Sequence, residues 1–124
     1  MQGMKVAIVD DDDALAMLLA EVLSRRGVEV EVFGSAEDLL AGDVRSFAAI
    51  VLDLRLPGMW GSECVYRLRQ MGVCSQVIAM TGFGDEWDED DLRDLGFDRV
   101  YYKPLDVKEF TEALLRDLGE RDSA

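Results

Sequence analysis

An apolar run, Ala48-Ala49-Ile50-Val51-Leu52, ends in a carboxylate at Asp53, and Pro57-Gly58 closes the loop that follows. A run of this kind, cut by turn residues, reads as a strand buried on both faces. Such a strand needs parallel neighbours and covering helices, and open sheets of that type take their ligands at the carboxyl ends of the strands. Three other strand patterns end in reactive side chains. Lys5-Val6-Ala7-Ile8-Val9 runs into Asp10-Asp11-Asp12-Asp13, Gln76-Val77-Ile78-Ala79-Met80 into Thr81-Gly82, and Arg99-Val100-Tyr101-Tyr102 into Lys103-Pro104. Acids, a hydroxyl and an amine thus gather at one edge of a sheet.

Strand and helix patterns alternate five times, which predicts an α/β fold, a doubly wound five-stranded parallel sheet with helices on both faces. Leu15, Leu18, Leu19, Val22 and Leu23 mark a first helix capped by Asp12 or Asp13 and ended at Gly27. Val28 to Phe33 alternates apolar and charged residues, as a half-exposed strand near the sheet edge does. Ser35 caps a short second helix, with Asp38 three residues on. A third helix spans Glu63 to Met71 and buries Val65 and Leu68. The segment 85–91 carries six acids in seven positions, so only Trp87, Leu92 and Leu95 give the fourth helix an apolar face. Asp106 caps the last helix, which buries Val107, Phe110, Leu114, Leu115 and Leu118.

A chain of 124 residues is expected to be one domain, 1–124, with its core at about 4–118 and a frayed tail at 119–124. The formal net charge of −13 repels nucleic-acid phosphate, so direct nucleic-acid binding is not expected, and a cation or a basic surface is the natural complement. The sequence lacks histidine, which removes His-based triads and His-ligated zinc. Cys64 and Cys74 form no CxxC pair and read as small structural residues of a reduced protein. Without a membrane span or a signal-peptide pattern at Met1-Gln2-Gly3-Met4, a cytoplasmic location is expected.

Clustered carboxylates raise one another's pKa unless a cation holds them ionised. Hard oxygen donors suit Mg²⁺, which also takes phosphate oxygens. A cation beside the Lys103 ammonium would neutralise a phosphoryl group at this edge, and the Thr81 hydroxyl and Gly82 N–H would complete an oxygen cradle. One carboxylate then remains as nucleophile, yielding an acyl phosphate. Asp53, alone on the central strand, is the best placed.

The chain resembles a response regulator receiver domain from Met4 to about Leu118. The resemblance rests on Ile8-Val9-Asp10-Asp11-Asp12, Val51-Leu52-Asp53-Leu54-Arg55-Leu56-Pro57-Gly58, Met80-Thr81-Gly82 and Tyr102-Lys103-Pro104, four pieces in order at the right separations. It implies a flavodoxin-like strand order 2-1-3-4-5, with Asp53 as phosphoacceptor for a sensor histidine kinase or histidine phosphotransfer protein. It further implies Mg²⁺ held by Asp11, Asp53 and the Arg55 carbonyl, with Asp10 acting mostly through water. Thr81, Gly82 and Lys103 would meet the phosphoryl oxygens, and the product would be a signalling state in which the domain only adds and removes its own phosphoryl group. Three positions depart from the family pattern. Val100 stands where an aromatic is common, Arg55 lies beside the phosphoryl position, and Trp60 replaces a small polar residue.

Switch candidates are Thr81, Val100 and Tyr102, since Val100 and Tyr102 share a strand face. Tyr101 points the other way and reads as a packing residue. Phosphorylation is then expected to reshape the surface of residues 83–95, the last strand and the last helix, for an effector or a homodimer through 83–118. Asp12 and Asp13 read as helix caps, and the run 85–91 as a solvated face. Two other functions compete. Asp10 and Asp12 imitate the Asp-x-Asp of a haloacid dehalogenase-type phosphohydrolase with Asp10 as nucleophile, and the fold alone would serve an unphosphorylated interaction module.

Overall fold

A computed structural model describes residues 4–82 and 87–123, with side chains as far as Gly119. The first three residues, the first two acids of the 85–91 run and the side chains of the C-terminal tail lie outside the described residues.

Five parallel strands form one sheet in the order β2-β1-β3-β4-β5, the order the resemblance implies. They are β1 (Lys5–Val9), β2 (Glu29–Phe33), β3 (Ala49–Asp53), β4 (Gln76–Thr81) and β5 (Arg99–Tyr102). Every residue of β3 and β4 is buried, whereas β2 and β5, at the edges, are half-exposed. The continuous apolar runs thus mark the strands with neighbours on both sides and helices on both faces.

Alternating side chains divide the core in two. Ala7, Val9, Ile50, Leu52, Val77 and Ala79 face α2 (Ala36–Ala41), α3 (Gly61–Gln70) and α4 (Glu89–Leu95). Val6, Ile8, Ala49, Val51, Ile78 and Met80 face α1 (Asp13–Arg25) and α5 (Val107–Ser123). Asp12 caps α1 by accepting from Leu15 N, Ser35 caps α2 from Asp38 N, and Asp106 caps α5 from Glu109 N.

Several local expectations are corrected. The buried seam of α1 is Ala16, Leu19 and Leu23, while Leu18 is exposed. Alanine at 16 lets the helix lie close to the sheet, and the seam turns away from Leu18. Helix α3 begins at Gly61 rather than Glu63, with Trp60 at its N-cap and no side-chain cap bond. Cys64 is buried as expected, but Cys74 is exposed on the loop after α3. Helix α5 runs to Ser123 and is anchored at Phe110, Leu114, Leu115 and Leu118.

Candidate functional site

The ends of β1 and β3 deliver acids to the same edge. Asp10 follows β1 and is fully buried, and its backbone N–H donates to the Phe33 carbonyl at 3.1 Å. Its Oδ1 accepts from the Asp12 N–H at 2.9 Å, so the turn into α1 fixes the carboxylate. Asp53 ends β3 and is 5% exposed. Its Oδ1 accepts from the Arg55 N–H at 3.0 Å, which orients it in the same manner. Asp11 is exposed, and carboxylate oxygens of Asp10, Asp11 and Asp53 lie within 4.8 Å of one another.

Lys103 reaches this cluster from the end of β5. Its Nζ donates to Asp53 Oδ2 at 2.9 Å and to Asp10 Oδ2 at 3.0 Å. The Lys103 N–H donates to the Thr81 carbonyl at 2.8 Å, which sets the lysine beside the end of β4. Lys103-Pro104 is a cis peptide. Thr81 is fully buried at the end of β4, and Gly82 follows it into the loop. The five positions read from the strand ends, Asp10, Asp11, Asp53, Thr81 and Lys103, therefore stand at one sheet edge.

Burial pushes the Asp10 carboxyl above its usual value, against the Asp12 N–H and the Lys103 ammonium, which pull it down; the Asp53 charge adds to the rise. Burial would pull Lys103 down, yet its hydrogen bonds to Asp53 and Asp10 and their charges outweigh that, and it is held above the usual lysine range. Lys103 pairs with two of these three acids, which together present a set of hard oxygen donors. A small divalent cation such as Mg²⁺ fits this donor set.

Sequence reasoning misses Gly61. A Cβ at this position would stand 2.4 Å from the Asp53 carbonyl oxygen and 2.8 Å from the Leu54 Cα. The Gly61 N–H donates to the Leu54 carbonyl at 2.9 Å, so the start of α3 is laid directly on the backbone of the site. A glycine just past an apolar strand and its Pro-Gly turn is the available sequence signal. Asp12, which a haloacid dehalogenase pattern would need as its second acid, is the α1 cap instead.

Val100 packs against the core cluster on the α4 side of the sheet, and Tyr101 stacks edge-on against Phe110 on the other, with centroids 4.8 Å apart. Tyr102 is half-exposed. Partial desolvation and the nearby Glu89 and Asp88 carboxylates raise its hydroxyl pKa.

Residues 6–115 match the response regulator receiver domain family. The chain is 31% identical over 121 residues to sporulation initiation phosphotransferase F of Bacillus subtilis, covering 95% of this chain and 96% of that protein. It is 32% identical to the transcriptional regulatory protein TcrA of Mycobacterium tuberculosis over 98% of this chain, which spans 48% of that relative's length. The crystal structure of a CheY-like receiver domain protein from Methanospirillum hungatei superposes with a TM-score of 0.85 at 25% identity, covering 97% of both chains. The chain belongs to the response regulator receiver domains, signalling modules activated by phosphorylation. Receiver domains bind Mg²⁺ at an acidic pocket, and take phosphoryl groups from kinases or phosphotransfer proteins. Among the described residues, no helix is long and apolar enough to cross a membrane.

Proposed function

We propose that this chain is a single cytoplasmic receiver domain that accepts a phosphoryl group on Asp53 from a sensor histidine kinase or a histidine phosphotransfer protein. The observation that carries the assignment is the Lys103 ammonium, which lies within 3.0 Å of both Asp53 and Asp10. An oxygen of Asp53 attacks phosphorus, the bond from phosphorus to the donor's imidazole nitrogen breaks, and a mixed anhydride remains on Asp53. Asp10, Asp11, Asp53 and the Arg55 carbonyl would hold Mg²⁺, which when bound supplies charge neutralisation for the phosphoryl oxygens. Lys103 then releases Asp53 and pairs with the new phosphoryl oxygens, while the Thr81 hydroxyl and the Gly82 N–H donate to the remaining phosphoryl oxygens. The domain has no diffusible product of its own beyond the phosphate lost when water cleaves the anhydride.

Thr81 is the group through which the state of Asp53 would reach β5, with Val100 and Tyr102 on the face it meets. Their face leads to α4, β5 and α5, the surface offered to an effector or a second copy. Incubation with acetyl phosphate and Mg²⁺ tests the assignment: the intact mass should rise by one phosphoryl group, and Asp53→Ala should remain unmodified. Full labelling of Asp53→Ala would move the phosphoacceptor elsewhere.

A further inference from the structure

Helix α4 is short and weakly anchored, with Leu92 its one buried residue. It lies beside α3, and the two ends of α3 hold it in different ways. Near the C-terminus of α3, Arg69 donates to the Gly96 carbonyl from Nε at 3.0 Å and from Nη2 at 2.7 Å. The same guanidinium donates to the carbonyls of Val73 and Ser75 and to Asp98 Oδ2. Asp98 Oδ2 in turn accepts from the Val77 N–H of β4 at 2.8 Å. Gly96 has φ +124°, and a Cβ there would stand 2.7 Å from the Arg69 Cγ. The C-terminal end of α4 is thus tied to α3 and the sheet by directional, charge-assisted bonds.

At the other end the contact is aromatic. Trp60, the N-cap residue of α3, meets Trp87, which immediately precedes the Asp88 cap of α4, with ring centroids 6.5 Å apart and planes at 57°. Trp60 is half-exposed, and a tilted indole pair has no directional bond to hold it. Trp60 is also close to the phosphoacceptor. It lines a cleft of about 270 Å³ together with Asp11, Arg55, Leu56 and Pro57. Its neighbour Gly61 rests on the Asp53 and Leu54 backbone, which joins the Trp60 end of α3 to the site.

We propose that Arg69 is a fixed pivot and the Trp60–Trp87 pair a yielding latch, so that phosphorylation parts the two indoles and frees the N-terminal half of α4 about its pinned C-terminal end. The inference rests on Asp53 being the phosphoacceptor. It gives the chain a route from site to α4 that does not need an aromatic at position 100, and it assigns a role to Trp60, where the family's usual small polar residue is replaced.

Amide hydrogen exchange on the full chain tests it, with Mg²⁺ and beryllofluoride as the phosphoryl stand-in and its binding read separately by fluorine NMR. In the wild type, beryllofluoride should speed exchange over residues 87–92 by roughly two- to tenfold, the range set by loss of one aromatic pair, and leave 93–98 unchanged. Trp60→Ala, a change at a half-exposed position, should show the faster rates over 87–92 without beryllofluoride and gain nothing on adding it. Trp60→Phe should behave as wild type, and Arg69→Met should speed 93–98 in both states. Wild type or Trp60→Ala that binds beryllofluoride but departs from these patterns overturns the latch while leaving the Asp53 assignment standing. Wild type that does not bind beryllofluoride overturns both.

Discussion

The Lys103 ammonium lies 2.9 Å from Asp53 Oδ2 while also holding Asp10 Oδ2 at 3.0 Å, so one cation spans two buried carboxylates from two different strands. A charge in that position has two roles. It pairs with both acids before phosphorylation, and it would stand beside a phosphoryl group on Asp53.

Removing it should therefore expose a cost that metal can relieve. Lys103→Met leaves Asp10 and Asp53 without their shared partner, and breaking a buried pair from one side costs about 3 kcal/mol or more when no relaxation is possible. Part of that cost is recovered because Asp10, already raised by burial, takes up a proton. Denaturant unfolding should show the variant less stable than wild type in the absence of Mg²⁺, with the gap narrowing on its addition. A gap that Mg²⁺ leaves unchanged would place the cation away from these acids.

Gly61 should not tolerate a methyl group. The added Cβ meets backbone at 2.4 Å, and backbone cannot swing aside as a side chain can. Gly61→Ala is expected to lose roughly 1–3 kcal/mol of stability and to slow labelling by acetyl phosphate, because the strain falls on the Asp53 carbonyl and the Leu54 backbone. Thermal melts and intact-mass time courses check the two parts. A variant with wild-type melting would mean that α3 does not rest on β3 as described.

A third expectation concerns acid stability. Burial raises the Asp117 carboxyl, but hydrogen bonds from Arg99 and Gln76 outweigh it, and the group sits below the usual aspartate range. A depressed folded-state pKa contributes stability that is fully present above the unfolded value, about pH 4, and is lost as pH falls through the lower folded value. Asp117→Asn should therefore be less stable than wild type by a constant margin from neutral pH down to about pH 5, and the margin should shrink in more acid solution. A margin that grows on acidification would contradict the pairing.

The sequence shows the strand ends clearly because burial on two faces leaves a continuous apolar run, and the first polar residue after it must lie at the sheet edge. That is why Asp10, Asp53 and Thr81 are placed together by the sequence alone, whereas Lys103 follows the half-exposed edge strand β5 and is placed by the alternation of strand and helix patterns. The surface of α1 was less legible. Leu18 fits a helical stripe as well as Ala16 does, and only the close approach to the sheet selects the smaller residue. Arg69 is harder still. A charged residue on a helix pattern looks solvated, yet three of its four partners are backbone carbonyls, one of them 27 residues away, and carbonyls leave no trace in a sequence. Gly61 is similar, since what forbids a side chain there is backbone from another element. Position 100 was readable by parity, and Val100 and Tyr101 do fall on opposite faces of the sheet.

The central claim is that Asp53, and neither acid of the Asp10/Asp11 pair, carries the phosphoryl group. Borohydride reduction of an aspartyl phosphate converts that residue to homoserine, which marks the site permanently. Wild-type protein treated with acetyl phosphate and Mg²⁺, reduced, digested and sequenced by tandem mass spectrometry should show homoserine at position 53 alone. Homoserine at Asp10 or Asp11 would contradict the account.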